Sequence, residues 1–376
     1  MKYLRFGIMP FLVLLSIISL FMGPLYTILF FILLDGTFIL GDFFLPQDKK
    51  KPIYNKPWIL NGLLYINLPL LLGLYCILAW YCSDVDLLGF GNWIQSNSTF
   101  NIMDHKKNMQ FYHYIFVIIS SGLLVAGAGT VVGHELVHRT KEKVSMWFGN
   151  WLIALSFDMA FAIDHVYGHH KDVCLKKDSA TAVRGQSIYH FIFSSSLGQF
   201  ITAYKIESKR NKSIFQNRLA ISTIRSIVII SIMYLIGGIY GLIIALSIAL
   251  IAKVLLETVN YIEHYGLVRK EGEKVYPRHS WNSNHFMSNI ILYNLTRHSH
   301  HHEKAYLEFW NLKPYKDAPE MPYGYLSMIY LALLCPWFYH KIMSKKLLDW
   351  DQNYANEDEK KIAEEDNKNS DIKALT

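Results

Sequence analysis

The chain has 376 residues, 52% of them hydrophobic and 18% charged, with a formal net charge of +7. That is too apolar for an ordinary soluble domain. Its basic excess sits in short segments where membrane topology accounts for it, so nucleic acid is not an expected partner. The four cysteines, Cys76, Cys82, Cys174 and Cys335, form no C-x-x-C pair, which excludes a disulfide framework, a zinc ribbon and an iron–sulfur ligand set. No Gly-rich nucleotide fingerprint follows a strand pattern.

Apolar runs come first along the chain, at about 7–21, 24–41, 59–82 and 111–132, followed by a long tract near 225–262. A helix of about 20 apolar residues crosses a bilayer. The last tract is close to twice that length, and Gly237-Gly238 divides it into spans near 225–238 and 240–262. The expectation is an all-α, multi-pass bundle of about six transmembrane helices, forming one domain over 1–351. No A-x-A-like cleavage site follows the first run, and a second run comes at once, so it reads as an anchor. The segments PQDKKKPIYNK, HELVHRTKEK, YKIESKRNKSIFQNR and NYIEHYGLVRK are basic. By the positive-inside rule they lie in the cytosol. The tail from 352 to 376 is rich in Lys, Glu, Asp and Asn and is expected to be disordered.

Nine of the sixteen histidines fall into four tight groups. GHELVHRT places His134 and His138 four apart, on one helical face. DHVYGHHKDV supplies His165, His169 and His170, NYIEHYGLVR supplies His264, and LTRHSHHHEKAY supplies His298, His301 and His302. On a helical wheel those last three share a side, whereas His300 points about 200° away from His298. All four groups fall on the expected cytosolic side. His-Glu-x-x-His is also the zinc-protease signature. A catalytic zinc takes three protein ligands, however, and nine imidazoles suit two metal ions with four or five nitrogens each. Iron, copper and zinc all accept imidazole; magnesium and calcium do not. A metal transporter or sensor is a further alternative, but it would spread polar residues through its spans rather than gather histidines at one face.

These histidine groups resemble the integral-membrane, non-haem di-iron hydroxylase and desaturase superfamily. The sequence is most similar to the alkane monooxygenases and the xylene monooxygenase hydroxylases. NYIEHYGLVR and SWNSNHFMSN are similar to the alkane enzymes; RGQSIYHF, LKPYKDAPEMP and LLDWDQNYA are closer to the xylene enzyme. Together these stretches cover most of residues 130–355. The resemblance implies that the nine histidines bind two iron ions that activate O2. It implies hydroxylation of a terminal or benzylic C–H in a hydrophobic alkane or alkyl-arene. Electrons would come from an external donor, either a rubredoxin or an iron–sulfur reductase, at a bacterial inner membrane. A fatty-acyl desaturase or hydroxylase would use the same site. Four carboxylates are candidates for supporting the ligands: Asp164, standing where the family usually has Glu, and Asp178, Glu257 and Glu263.

Overall fold

The computed structural model describes residues 2–210 and 212–375. Among these the regular structure is helical, with two isolated bridges, Gln47–His285 and Asn282–Glu320, in place of any strand. Among the described residues five helices are long and apolar enough to cross a membrane: Leu4–Met22, Pro24–Phe44, Pro57–Cys82, Phe111–Val137 and Arg218–His264. Large apolar side chains such as Leu25, Leu29, Ile32, Leu33 and Leu40 stand exposed on the second. A contiguous apolar surface of this kind is a lipid-facing one.

The fifth helix has 47 residues and would run about 70 Å if straight, over twice the hydrocarbon thickness of a bilayer. It breaks at Gly238, where φ is 58° and ψ −149°, a conformation that a side chain rarely tolerates. The break falls in the Gly-Gly pair singled out in the sequence. Its two arms, about 30 Å and 39 Å long, are each sufficient to span.

Contacts divide the chain into two compact units, where the sequence leads to an expectation of one domain. The first comprises residues 1–37, 54–159 and 220–253, and the second residues 38–53, 160–219 and 254–376. In the first unit, helix Ile8–Met22 packs on Asn67–Cys82, and Val132–Val137 packs on Lys143–Ala154. That second contact is a close backbone approach. A Cβ on Gly133 would lie 2.7 Å from the Ile153 side chain and 3.1 Å from the Gly149 carbonyl. Small residues allow membrane helices to meet in this way, and the meeting fixes the turn that carries His134.

In the second unit, buried polar contacts replace regular structure between the helices. Asp42 accepts hydrogen bonds from Ser288 N at 3.2 Å, Ser288 Oγ at 2.6 Å and Ser327 N at 3.0 Å. Arg297, directly before the last histidine group, donates to the carbonyls of Asp48 (3.0 Å), Lys50 (2.9 Å) and Leu312 (2.8 Å). All of these bonds except that of Ser288 Oγ satisfy a backbone group that would be costly to bury alone.

The tail corrects an expectation. Within residues 352–375, Glu357–Lys368 forms a helix with a reciprocal capping box between Asn356 and Glu359. Its first turn carries Glu357, Asp358 and Glu359, which favour the positive end of the helix dipole. Composition alone points to disorder because the segment has few apolar residues to bury. Charge pairing with the rest of the unit takes their place: Glu359 is fully buried, and Asn367 donates to Asp351 and accepts from Arg184.

Candidate metal centre

In the first unit His134 and His138 lie in the last turn of the Phe111–Val137 span and at its C-cap. Their Nε2 atoms are 3.2 Å apart. Glu135 between them faces elsewhere: it accepts from Arg139 Nη2 at 2.7 Å and Nε at 3.2 Å, while Arg139 Nη1 donates to Asn61 Oδ1 at 2.7 Å. A carboxylate held in a buried guanidinium pair is a poor general base. The span reaches this turn through a π-helical stretch, Val125–Val131.

In the second unit the DHVYGHH histidines sit on another π-turn, His165–His169, where His170 N–H bonds the His165 carbonyl. Hydrogen bonding at i→i+5 brings residues five apart onto one face. His165 Nε2 and His170 Nε2 accordingly meet at 3.1 Å, with His301 beside them, its ring centroid 4.8 Å from that of His170. His169 is turned away to a second group with His264, His298 and His302, whose ligating atoms all lie within 4.8 Å of one another. His298 Nε2 is 3.1 Å from His264 Nε2 and 3.0 Å from His302 Nε2. The two groups adjoin, with the His170 and His302 rings stacked at 4.3 Å.

Hydrogen bonds set which nitrogen of each ring carries its proton. His169 donates from Nδ1 to Asp178 at 2.9 Å, and His264 donates from Nδ1 to the His279 carbonyl at 2.9 Å. Their Nε2 lone pairs therefore face the centre of the group. Asp178 is itself held by Thr181 Oγ1 at 2.6 Å and by Ala180 N at 3.1 Å. Burial pushes its carboxyl up, but the pull of His169 and these bonds outweigh burial and leave it below the ordinary carboxylate value. Burial, with the surrounding imidazoles, keeps His302 neutral, well below the ordinary histidine value. A neutral ring is the form that ligates.

The residues fit a metal ion. His169 Nε2, one of the converging atoms, is buried and lacks a hydrogen-bond partner among the described residues, an expensive state for a polar atom. Two nitrogens bound to one ion at about 2.1 Å and at right angles are about 3.0 Å apart. The Nε2 separations match that spacing. His300 shares the short helix His298–Glu303 with three of these histidines but is engaged elsewhere. Its Nδ1 accepts from Lys313 N at 2.9 Å and its ring meets Tyr315.

The four candidate carboxylates differ in placement. Asp178 meets a histidine directly, and Glu263 Oε2 lies 3.2 Å from His298 Nε2. Asp164, buried, packs under the π-turn, where a Cβ on Gly168 would lie 2.8 Å from its Oδ1. Glu257, with no exposure, is held by Gln199 Nε2 at 2.9 Å and 3.0 Å and by Asn260 Nδ2 at 3.3 Å. His279 carries no metal signal in its spacing, and the sequence does not single it out. It acts through its backbone carbonyl, which no side-chain pattern reveals.

Membrane-length helices and a histidine-lined metal site define a membrane metalloprotein. The family model of fatty acid desaturases matches residues 110–332. An alkane 1-monooxygenase of Ectopseudomonas oleovorans is 30% identical over 329 residues, covering 85% of this chain and 76% of that one. Alkane 1-monooxygenase 1 of Pseudomonas aeruginosa is 34% identical over 259 residues, 66% of each chain. The xylene/toluene monooxygenase hydroxylase component XylM of Pseudomonas putida is 28% identical over 383 residues, 98% of this chain and 95% of that one. The chain belongs to the fatty acid desaturase family, among its alkane 1-monooxygenase-like members, and is an oxidoreductase.

Proposed function

We propose that this chain is a membrane hydroxylase in which nine histidines bind two irons. His169, His264, His298 and His302 hold one ion, and His165, His170 and His301 stand ready for the other. The observation that supports this best is the four-histidine group, in which Asp178 and the His279 carbonyl fix two tautomers so that their lone pairs converge. When bound, the irons supply O2 activation, placing one oxygen atom in an unactivated C–H bond and releasing the other as water at the expense of two external electrons.

The chain's own residues position and insulate that chemistry. Asp178 and the His279 carbonyl raise the basicity of His169 and His264 and prevent ring rotation. Glu263 is placed to hold a proton: its Oε1 is buried and lacks a partner among the described residues. Burial of nearly all these side chains excludes water that would intercept reactive oxygen. The substrate is a lipid-dissolved alkane or alkyl-arene, on the strength of what the relatives are named for. The donor is a rubredoxin or an iron–sulfur reductase. The metal-binding face lies toward the cytosol of a bacterial inner membrane, as the basic segments beside the histidine groups support.

The test is turnover of octane and p-xylene by detergent-purified protein with a donor system under 18O2. Terminal or benzylic alcohol carrying oxygen-18 is the expected product. Absence of both alcohols, with desaturation of an added fatty-acyl substrate, would move the chain to the desaturase reading.

A further inference from the structure

The tail helix holds a carboxylate in an unusual position. Glu359 and His279 are both fully buried, and a buried charge is expensive unless several hydrogen bonds meet it. Glu359 has four. It accepts from His279 Nε2 at 2.6 Å, from Arg278 Nε at 2.8 Å and Nη2 at 3.1 Å, and from Asn356 N at 3.0 Å. The far nitrogen of His279, Nδ1, accepts from Tyr276 N at 3.0 Å. That bond places the His279 proton on Nε2, so the ring is neutral and pinned at both ends.

The His279 carbonyl is the acceptor for His264 Nδ1 at 2.9 Å, and Cys174 Sγ donates to it at 3.2 Å. A continuous chain therefore runs from the tail through His279 to a ring of the four-histidine group. Other tail contacts grip the same connecting segment. Trp350 Nε1 donates to the Arg278 carbonyl at 2.7 Å, Asp358 pairs with Lys270 at 2.6 Å, and Asn356 Nδ2 donates to Glu273 at 2.8 Å. Arg184 ties Asp351 (2.6 Å and 2.7 Å) and Asn367 (2.6 Å) to the Gly266 carbonyl (2.9 Å).

We propose that Glu359, on the tail helix, is a positioning residue of the metal centre and sets the orientation of His264 through His279. The inference rests on the proposed ligand role of His264. Its physical basis is that hydrogen-bond partners outside the ligand set orient the ligands, and their loss typically costs about 10–100-fold in metal affinity. Glu359 sits one bond further out, yet the ring it pins has no other fixed end than Tyr276 N–H.

The experiment compares full-length Glu359→Ala, Glu359→Gln and Asp358→Asn with the parent, using cobalt(II) as the probe. Binding is read by competition with a chelator, and site geometry by the visible absorption of the bound ion. Glu359→Ala is expected to weaken binding about tenfold or more and to change the spectrum. Glu359→Gln keeps an acceptor for His279 but not the charge, so a loss of about threefold with a small spectral shift is expected. Asp358→Asn removes an exposed pair on the same helical turn and should match the parent. Parent affinity and spectrum in both Glu359 variants would overturn the proposal. Equal losses in Asp358→Asn would also overturn it, by showing that tail docking in general is what matters. Should the alanine variant fail to fold, the glutamine variant decides. A parent that binds no cobalt, zinc or iron would instead refute the ligand assignment itself.

Discussion

His302 and His300 are two residues apart on one short helix, yet they live in different surroundings. The Nε2 of His302 meets His298 Nε2 at 3.0 Å, while His300 is taken up by the Lys313 amide and the Tyr315 ring. His302→Ala should abolish activity and lower bound metal, whereas His300→Ala should keep most of both, as metal analysis of purified variants would show. Equal loss of metal in the two would refute the ligand set. This separation was legible in the sequence, because the wheel angle between positions 298 and 300 follows from helix geometry alone. The role of Asp178 was legible only as a carboxylate near a histidine group; its bond to His169 rather than to His165 or His170 was not. Asp178→Asn replaces the charged acceptor of His169 with a neutral one and should weaken metal binding by about 10–100-fold, with helix content unchanged.

At the scale of elements, the π-turn at His165–His169 decides which histidines act together. An ordinary helix would pair His165 with His169; hydrogen bonding at i→i+5 pairs it with His170 instead. Nothing in DHVYGHH announces a π-turn, so the sharing of histidines between groups could not be read from spacing. Inserting an alanine after Val166 would set His165 and His170 six positions apart, on no common face of an α- or π-helix, and turn His170 off its group. The expected result is loss of metal with circular dichroism close to the parent; retained metal would mean that the turn is incidental. The close contact of Gly133 with Gly149 makes a similar point. Gly133→Leu must push the two helices apart, at a cost of about 1–3 kcal/mol, and should reduce metal binding through His134. Thermal unfolding and metal content together would check it. The tail helix was illegible for another reason: the partners of Glu359 lie about 80 positions away in sequence. Burial pushes the Glu359 carboxyl up, but bonds from His279 and Arg278 bring it down to about 2. A depressed folded-state value means stability that is present above the ordinary glutamate range near 4.5 and lost as pH falls toward 2. Acid should therefore loosen the tail in that window, with a shallower slope in Glu359→Gln, measurable by proteolysis of the 350–370 segment.

For the whole molecule, hydropathy made the membrane-length helices and the break at Gly238 legible, since length and apolar composition are all that a span requires. Interactions carried by single charged groups were harder to foresee. Among the cations of the basic segments, Arg210 pairs with Glu207 at 2.9 Å and Arg269 donates to the carbonyls of Val173, Lys171 and Glu273. They are spent on the fold. Lys205 and Lys209 instead line a polar cavity of about 390 Å³ beside His169 and Asp178, and these are the cations to reverse in testing an acidic electron donor. Such a donor should bind more weakly as salt rises from about 20 to 300 mM, with turnover at saturating donor little changed. Lys205→Glu with Lys209→Glu should mimic high salt, and a titration insensitive to both would place docking elsewhere. The most direct test of the central claim is the metal content of the purified chain, counted with its valence by Mössbauer spectroscopy. Two irons per chain, with iron lost in His302→Ala and in His138→Ala, is the expected result. A single zinc, or no bound iron in folded protein, would contradict it.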